Sequence, residues 1–424
     1  MTHCTRVLAA TLALMASLSS PARAGEVEVL HWWTSGGEAR SVEELKKIMQ
    51  SHGHTWRDFA VVGGGGSNAM SLLRNRVNSG NPPSAAQVIG PAIQEWAAEG
   101  VLTNLDPVAR AEQWDKLLPK SVSDLMKYKG QYVAVPVNVH RVNWLWANAE
   151  MLNKVGGAMP RTWDEFFATA DKMRKAGYIP LAMAGNGWNH TITFESVALG
   201  VGGARFYADA FVHLDPQALN SPTMHKVLET FRRLKNYTDA DANNRDWNVA
   251  TALVIQGKAG FQFMGDWAKG EFLQAGKRPG RDFYCAPPPS NTNNYSFVVD
   301  SFIAFKLKDP SAQKAQSDLM AAIMGRDFQE TFNLNKGSIP VRLNMRMDKF
   351  DDCAKASAVA FKETAKSGSL VPSLSQGMYL KPDITNGLRD VLSRYWNDSR
   401  ISTEQAMDQL VLASKGSAIS TRRP

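Results

Sequence analysis

Glu28-Val-Leu-His-Trp-Trp-Thr-Ser-Gly-Gly-Glu38 decides how this chain is read. Val27 to Leu30 reads as a short strand, and Ala39 to Gln50 as a helix with apolar residues Leu45, Ile48 and Met49 at helical spacing. Two adjacent indoles, Trp32 and Trp33, two glycines and the Glu38 carboxylate therefore sit at a strand-to-helix turn. In an α/β sheet that edge, outside the carboxyl ends of the strands, is where ligands collect. Flat apolar rings beside a hydrogen-bonding carboxylate suit a ligand with one apolar face and many hydroxyls, as in a sugar ring.

The surrounding chain repeats the pattern. Asp58 to Val62 is a short apolar strand that ends in Gly63-Gly-Gly-Gly-Ser-Asn68, and a helix follows through Val77. The glycine run lacks the lysine of a phosphate-binding loop and the acidic partner of a dinucleotide fold, so a tight turn or close approach to a neutral ligand fits it better. Ala86 to Ile89 is the next strand and Ile93 to Glu99 the next helix. Thr162 and Glu165 have the spacing of a capping box. Trp188 falls in a glycine-rich loop, Gly260 to Met264 alternates as a strand, and Phe297 to Phe305 reads as one strand. The tail from Phe350 reads as helical. Strand and helix alternate throughout, which predicts an α/β fold with parallel sheets.

Pro136 disfavours a central strand at that point, and crossovers are expected near 135, 296 and 341. They divide the chain into two discontinuous lobes. One holds 25–135 plus 296–341, and the other 136–295 plus 342–424. Each lobe is expected to be a sheet flanked by helices, with a ligand cleft between the lobes and a hinge of crossover segments.

Composition narrows the classes. The chain has 424 residues, of which 44% are apolar and 21% charged, which is enough for two cores and unlike a disordered chain. The formal charge of +8 is spread thinly, without the Lys/Arg run expected of a nucleic-acid groove. Arg6, the short apolar run Val7 to Leu18 and Ala22-x-Ala24 have the form of a secretory signal, so residues 1–24 are expected to be removed and the rest to work in the periplasm. Cys4 precedes the apolar run, leaving Cys285 and Cys353 as an expected disulfide of an exported chain. No Cys/His set has metal-ligand spacing, and His52 and His54 read as a solvated turn, so neither a metal nor a cofactor is expected.

At this point the residues resemble a known family. Glu28–Glu38, Val62–Met70, Gly80–Gln87, Pro136-Val-Asn-Val-His-Arg141, Gly265-Asp-Trp267 and Lys336-Gly-Ser-Ile-Pro-Val341 are, in this order, similar to extracytoplasmic solute-binding proteins of family 1 of the ABC transporters. Among these, the glucose- or hexose-binding branch is the nearest in pattern. The resemblance implies a receptor that binds a hexose or short oligosaccharide, performs no chemistry and delivers its ligand to a membrane permease. A chemoreceptor is a second candidate partner, and a monomer is expected. It implies Trp32 and Trp33 at the sugar, Glu38 and Asp300 as acceptors, and Gln87 as donor and acceptor. Trp267 would stack from the other lobe, Lys336 would donate, and Gln376 and Trp188 complete the set. His140 is read as fixing hinge backbone rather than touching ligand. Ile89 and Gln376 depart from the glucose-binding pattern, which carries a basic donor and a His there. A secreted carbohydrate-active enzyme using Glu38 and Asp300 is the rival reading.

Overall fold

The computed structural model describes residues 24–63, 66–290 and 292–416. The expected signal, almost all of Met1 to Ala24, lies outside the described residues.

The elements that frame the cleft are, in chain order, β1 (Glu26–His31), α1 (Gly36–Ser51), β2 (Thr55–Ala60), α2 (Ser67–Asn78), β3 (Ala85–Val88), β4 (Ala134–Pro136), β5 (Asn138–Arg141) and β6 (Leu145–Asn148). They continue with α3 (Trp163–Lys175), β7 (Ile179–Leu181), α4 (Gly187–Phe211), α5 (Trp247–Ile255), β8 (Ala259–Phe263), α6 (Ala268–Gln274), β9 (Phe283–Ala286), β10 (Tyr295–Val298) and β11 (Ser301–Ala304). Last come α7 (Arg326–Lys336), β12 (Ile339–Pro340), α8 (Asp352–Ser367), β13 (Leu370–Pro372) and α9 (Pro382–Asn397).

Three larger sheets organise these elements. A five-stranded sheet has the order β2-β1-β3-β11-β4, and a four-stranded sheet the order β9-β6-β8-β7. A third sheet has the order β12-β5-β10-β13. The two-lobed α/β architecture is as expected, but the sheets are mixed. β1 pairs parallel with β2 and β3, whereas β11 enters between β3 and β4 antiparallel to both. The returning chain from residue 301 enters from the opposite direction, which alternating strand and helix patterns alone do not reveal.

Residues 297 to 305 are two strands, not one. β10 belongs to the third sheet and β11 to the five-stranded sheet, with Val299 and Asp300 between. The partner ribbon breaks at the same level, β4 ending at Pro136 and β5 starting at Asn138. The two breaks are bonded together, Val137 N–H donating to the Asp300 carbonyl at 2.8 Å. Pro136 lies in the edge strand β4, where a missing N–H is tolerated.

Local sequence explains the individual elements. Val27, Val29 and Leu30 of β1 are fully buried, and Val42, Leu45 and Met49 form the buried stripe of α1. The Thr162 hydroxyl accepts the Glu165 N–H at 3.2 Å, but the Glu165 carboxylate takes the Arg161 N–H at 2.7 Å, so the box closes one residue early. The tail carries β13 as well as helices. His54 is buried, with its Nε2 2.8 Å from Asp318, a partner 264 residues away that a local search cannot see. Cys285 of β9 and Cys353 at the start of α8 form a disulfide with a Cα–Cα distance of 6.2 Å. Among the described residues, no helix is long and apolar enough to cross a membrane.

Candidate functional site

A cleft of about 370 Å³, counting its open mouth, lies among Trp32, Trp33, Glu38, Ile89, His140, Trp188, Trp247, Trp267, Val298, Asp300, Lys336 and Gln376. It brings together eight of the nine expected ligand residues. The ninth, Gln87, is fully buried in β3 and does not line the cleft. Its side-chain oxygen accepts the Trp32 N–H at 3.2 Å and its amide donates to Asp300 at 3.3 Å. Phe302 opposes Gln87 in the β3–β11 register, so the central position of β3 keeps Gln87 behind the residues that it braces.

Trp32 and Trp33 leave β1 in different directions. A Cβ on Gly66, whose φ is +76°, would stand 3.0 Å from the Trp32 ring. The last glycine of the run thus gives the indole a flat backing, which is the close approach the run requires here. Trp33 is 2% exposed and packs against Phe302 and Phe332 at ring distances of 5.6 and 5.1 Å. It reaches the cleft only at an edge, and Lys336 Nζ lies 5.6 Å above its ring.

Three further tryptophans each open a helix. Trp188 is the second residue of α4, not a loop residue, Trp247 is the first residue of α5, and Trp267 immediately precedes α6. Trp188 and Trp267 have ring centroids 6.5 Å apart. Gly265 makes room for the Trp267 ring, which a Cβ there would meet at 2.2 Å. Trp247 lines the cleft and is not among the residues expected from the sequence. Its signal is the shared pattern of Trp just after a polar turn, in Asn186-Gly-Trp188, Asp246-Trp247 and Gly265-Asp-Trp267. Val298 lines the cleft as the last residue of β10, a position that a single strand from 297 to 305 does not mark out.

The charged groups form two sets. Glu38, in the first turn of α1, contacts Lys336 at the end of α7 and accepts the Ser35 N–H at 3.4 Å. Asp300 accepts from His140 Nε2 at 2.9 Å, Asn138 at 3.2 Å and Gln87 at 3.3 Å. Burial, the largest influence on Asp300, favours its neutral form. His140, Lys336 and Asn138 outweigh it and hold the carboxyl below its usual range. His140 is the converse. Burial would lower it, but Asp266 at Nδ1 and Asp300 at Nε2 together raise it. His140 therefore ties β5 to Asp266 and Asp300 and, unlike the expectation that it only fixes backbone, also lines the cleft.

Two donors on the opposite wall have no protein partner. Trp188 Nε1 and Gln376 Nε2 are buried atoms without a hydrogen bond. A buried donor left unpaired costs about 1–3 kcal/mol, and these two belong to lining residues, where a water or a ligand can supply the acceptor. Carboxylate acceptors, donors and indoles lining one cleft match a hydroxylated ring with apolar C–H faces. An ionised Asp300 cannot serve as a general acid, which needs a raised carboxyl. Among the described residues there is no group of side chains placed to hold a metal ion.

The family described as bacterial extracellular solute-binding protein matches residues 46–312. The chain belongs to that family. Its members are the substrate-binding proteins of ABC transporters and not enzymes. A probable sugar-binding periplasmic protein of Brucella melitensis is 44% identical over 407 residues, covering 95% of this chain and 96% of the relative. One of Rhizobium meliloti is 42% identical, covering 95% and 97%. Among solved structures, a chitin oligosaccharide binding protein superimposes with a TM-score of 0.79 at 15% identity, covering 92% of this chain and 98% of that one. The solute receptor AcbH, described as preferring β-D-galactopyranose, superimposes with a TM-score of 0.74 at 20% identity, covering 92% and 97%. These structures share the two-lobed fold.

Proposed function

We propose that this solute-binding protein is a periplasmic sugar receptor that holds a hexose or short oligosaccharide between two lobes and hands it to an ABC permease. The lobes are 25–135 plus 296–341 and 136–295 plus 342–424. In support, the five-stranded sheet draws nearly all its strand residues from the first pair, and the four-stranded sheet all of its own from the second. Residues 1–24 are its export signal. Trp32, Trp267, Trp188 and Trp247 supply ring faces, Glu38 and Asp300 accept hydroxyls, and Lys336, Gln376 and Trp188 Nε1 donate.

The observation that carries this reading is the pair of buried, unpartnered donors, Trp188 Nε1 and Gln376 Nε2, facing a cleft that also holds two carboxylates and five indoles. The relatives named as sugar-binding periplasmic proteins, matched over nearly their whole length, point the same way. Thermal unfolding of residues 25–424 against D-glucose, D-galactose, D-mannose, D-xylose and maltose tests it, because a ligand of the folded state raises Tm by mass action. At least one sugar is expected to raise Tm, with calorimetry giving one site per chain. No shift with any mono- or oligosaccharide overturns the reading.

A further inference from the structure

Two glycines meet where the body of the five-stranded sheet touches that of the four-stranded sheet. Gly37 lies in the first turn of α1, which follows β1; Gly270 lies in α6, which follows β8. A Cβ on Gly37 would stand 2.7 Å from the Gly270 carbonyl carbon and 3.0 Å from its Cα. One on Gly270 would stand 2.8 Å from the Asn335 carbonyl oxygen of α7. Backbone thus meets backbone with no side chain between. At the same seam the Gly37 N–H donates to Glu271 Oε1 at 2.8 Å. Glu271 itself does not line the cleft.

The first N–H groups of a helix have no partner within it and carry its positive end. A carboxylate brought there is favoured twice, by the hydrogen bond and by the dipole. Glu271 is such a cap, but it comes from the other body, so its bond exists only while the two bodies touch. A second seam has the same construction. Gly90 has φ +58°, and a Cβ there would stand 2.7 Å from the Gly377 carbonyl oxygen and 2.8 Å from that of Met378. Each seam adjoins lining residues, Gly37 beside Glu38 and Gly90 beside Ile89, with Gly377 beside Gln376.

We propose that Glu271 is a positioning residue that holds the protein closed around its ligand, by capping the N-terminus of α1 across the cleft through the side-chain-free contact of Gly37 and Gly270. This rests on the receptor reading above, in which two lobes close on a sugar. The contact makes closure a latched state, so Glu271 governs how long the ligand stays rather than how fast it arrives.

The test uses residues 25–424 and whichever sugar of the panel raises Tm most, followed by stopped-flow tryptophan fluorescence. Glu271→Ala is expected to raise the off-rate about tenfold, the equivalent of one charge-assisted bond, with the on-rate unchanged. Glu271→Gln, which retains an acceptor oxygen, is expected to recover part of the loss. Gly37→Ala separates latching from folding. Alanine is the better helix former, so the sugar-free Tm is expected to hold or rise while the off-rate increases. Small-angle scattering, recorded with and without sugar, is expected to show a more expanded particle for both alanine variants. If no sugar binds, the receptor reading fails, and the radii of the sugar-free chains alone decide about the latch. Radii equal to the wild type, with an unchanged off-rate wherever a sugar binds, overturn it. So does an off-rate increase in Gly37→Ala that is matched by a loss of sugar-free stability.

Discussion

His140 joins Asp266 and Asp300 through its two ring nitrogens, the Nε2 contact to Asp300 being 2.9 Å. Asp266 precedes Trp267, and Asp300 lies at the break between β10 and β11, so one imidazole ties an aromatic wall of the cleft to its carboxylate floor. The raised affinity of His140 for its proton and the lowered affinity of Asp300 are two views of the same contact.

Asp300→Asn removes the charge that His140, Asn138 and Gln87 converge on. Sugar affinity is expected to fall by about 2 kcal/mol, the scale of a hydrogen bond to a charged group. Isothermal calorimetry at pH 7 reads this directly, and an unchanged Kd would remove Asp300 from the site.

Gln87→Ala leaves every lining side chain in place but removes the bridge from the Trp32 backbone to Asp300. Affinity is expected to drop several-fold together with a loss of about 1–3 kcal/mol in stability, because two buried groups lose a partner. Chemical denaturation and calorimetry on the same preparation separate the two effects.

Trp267→Ala is expected to weaken binding by more than ~1 kcal/mol, through loss of one aromatic face. Its ring also meets His140 edge-on at 5.2 Å, so the binding pH profile is expected to shift with it. Calorimetric titrations from pH 5 to 8 check both.

Glu195 is fully buried in α4 and accepts from Ser296, from the Ser373 hydroxyl at 2.9 Å and from the Ser375 N–H at 2.9 Å. Burial pushes its carboxyl up to about 7 in spite of these bonds. Between its ordinary value of 4.5 and about 7 the folded chain keeps a proton that the unfolded chain releases. Stability therefore falls as pH rises through that window, by about 3 kcal/mol from this group. Glu195→Gln is expected to match the wild type at pH 4.5 and to exceed it at pH 8. Urea unfolding at both pH values decides; equal gaps at the two would show that Glu195 does not titrate.

Replacing Cys285 and Cys353 together by serine opens a link between positions 68 residues apart. The chain-entropy cost is about 4 kcal/mol. Guanidinium unfolding of the variant beside the oxidised wild type measures it.

Most of the ligand wall was legible because it is local. Trp32-Trp33 and Glu38 fall in one turn, and Gly265-Asp-Trp267 in another. What escaped depends on distant pairings. Gln87 looked like a strand-end donor, and only the arrival of β11 at β3 turns it into a brace. Val298 and Asp300 looked like parts of one strand, because the change of sheet between them alters no side-chain periodicity. Trp247 shares its place just after a polar turn with Trp188 and Trp267, a mark that shows only when the three turns are set side by side. His54 looked solvated because Asp318 is remote in sequence.

The placement of β11 also sets when the five-stranded sheet can be completed. The strand that fills the gap between β3 and β4 is residues 301–304, so the first sheet has an empty slot until some three hundred residues have been synthesised. Pairings this distant in sequence form slowly, because loop closure must precede the contacts that reward it. The interleaved topology that joins the two sheet bodies thereby leaves the first sheet unfinished until most of the chain has been made.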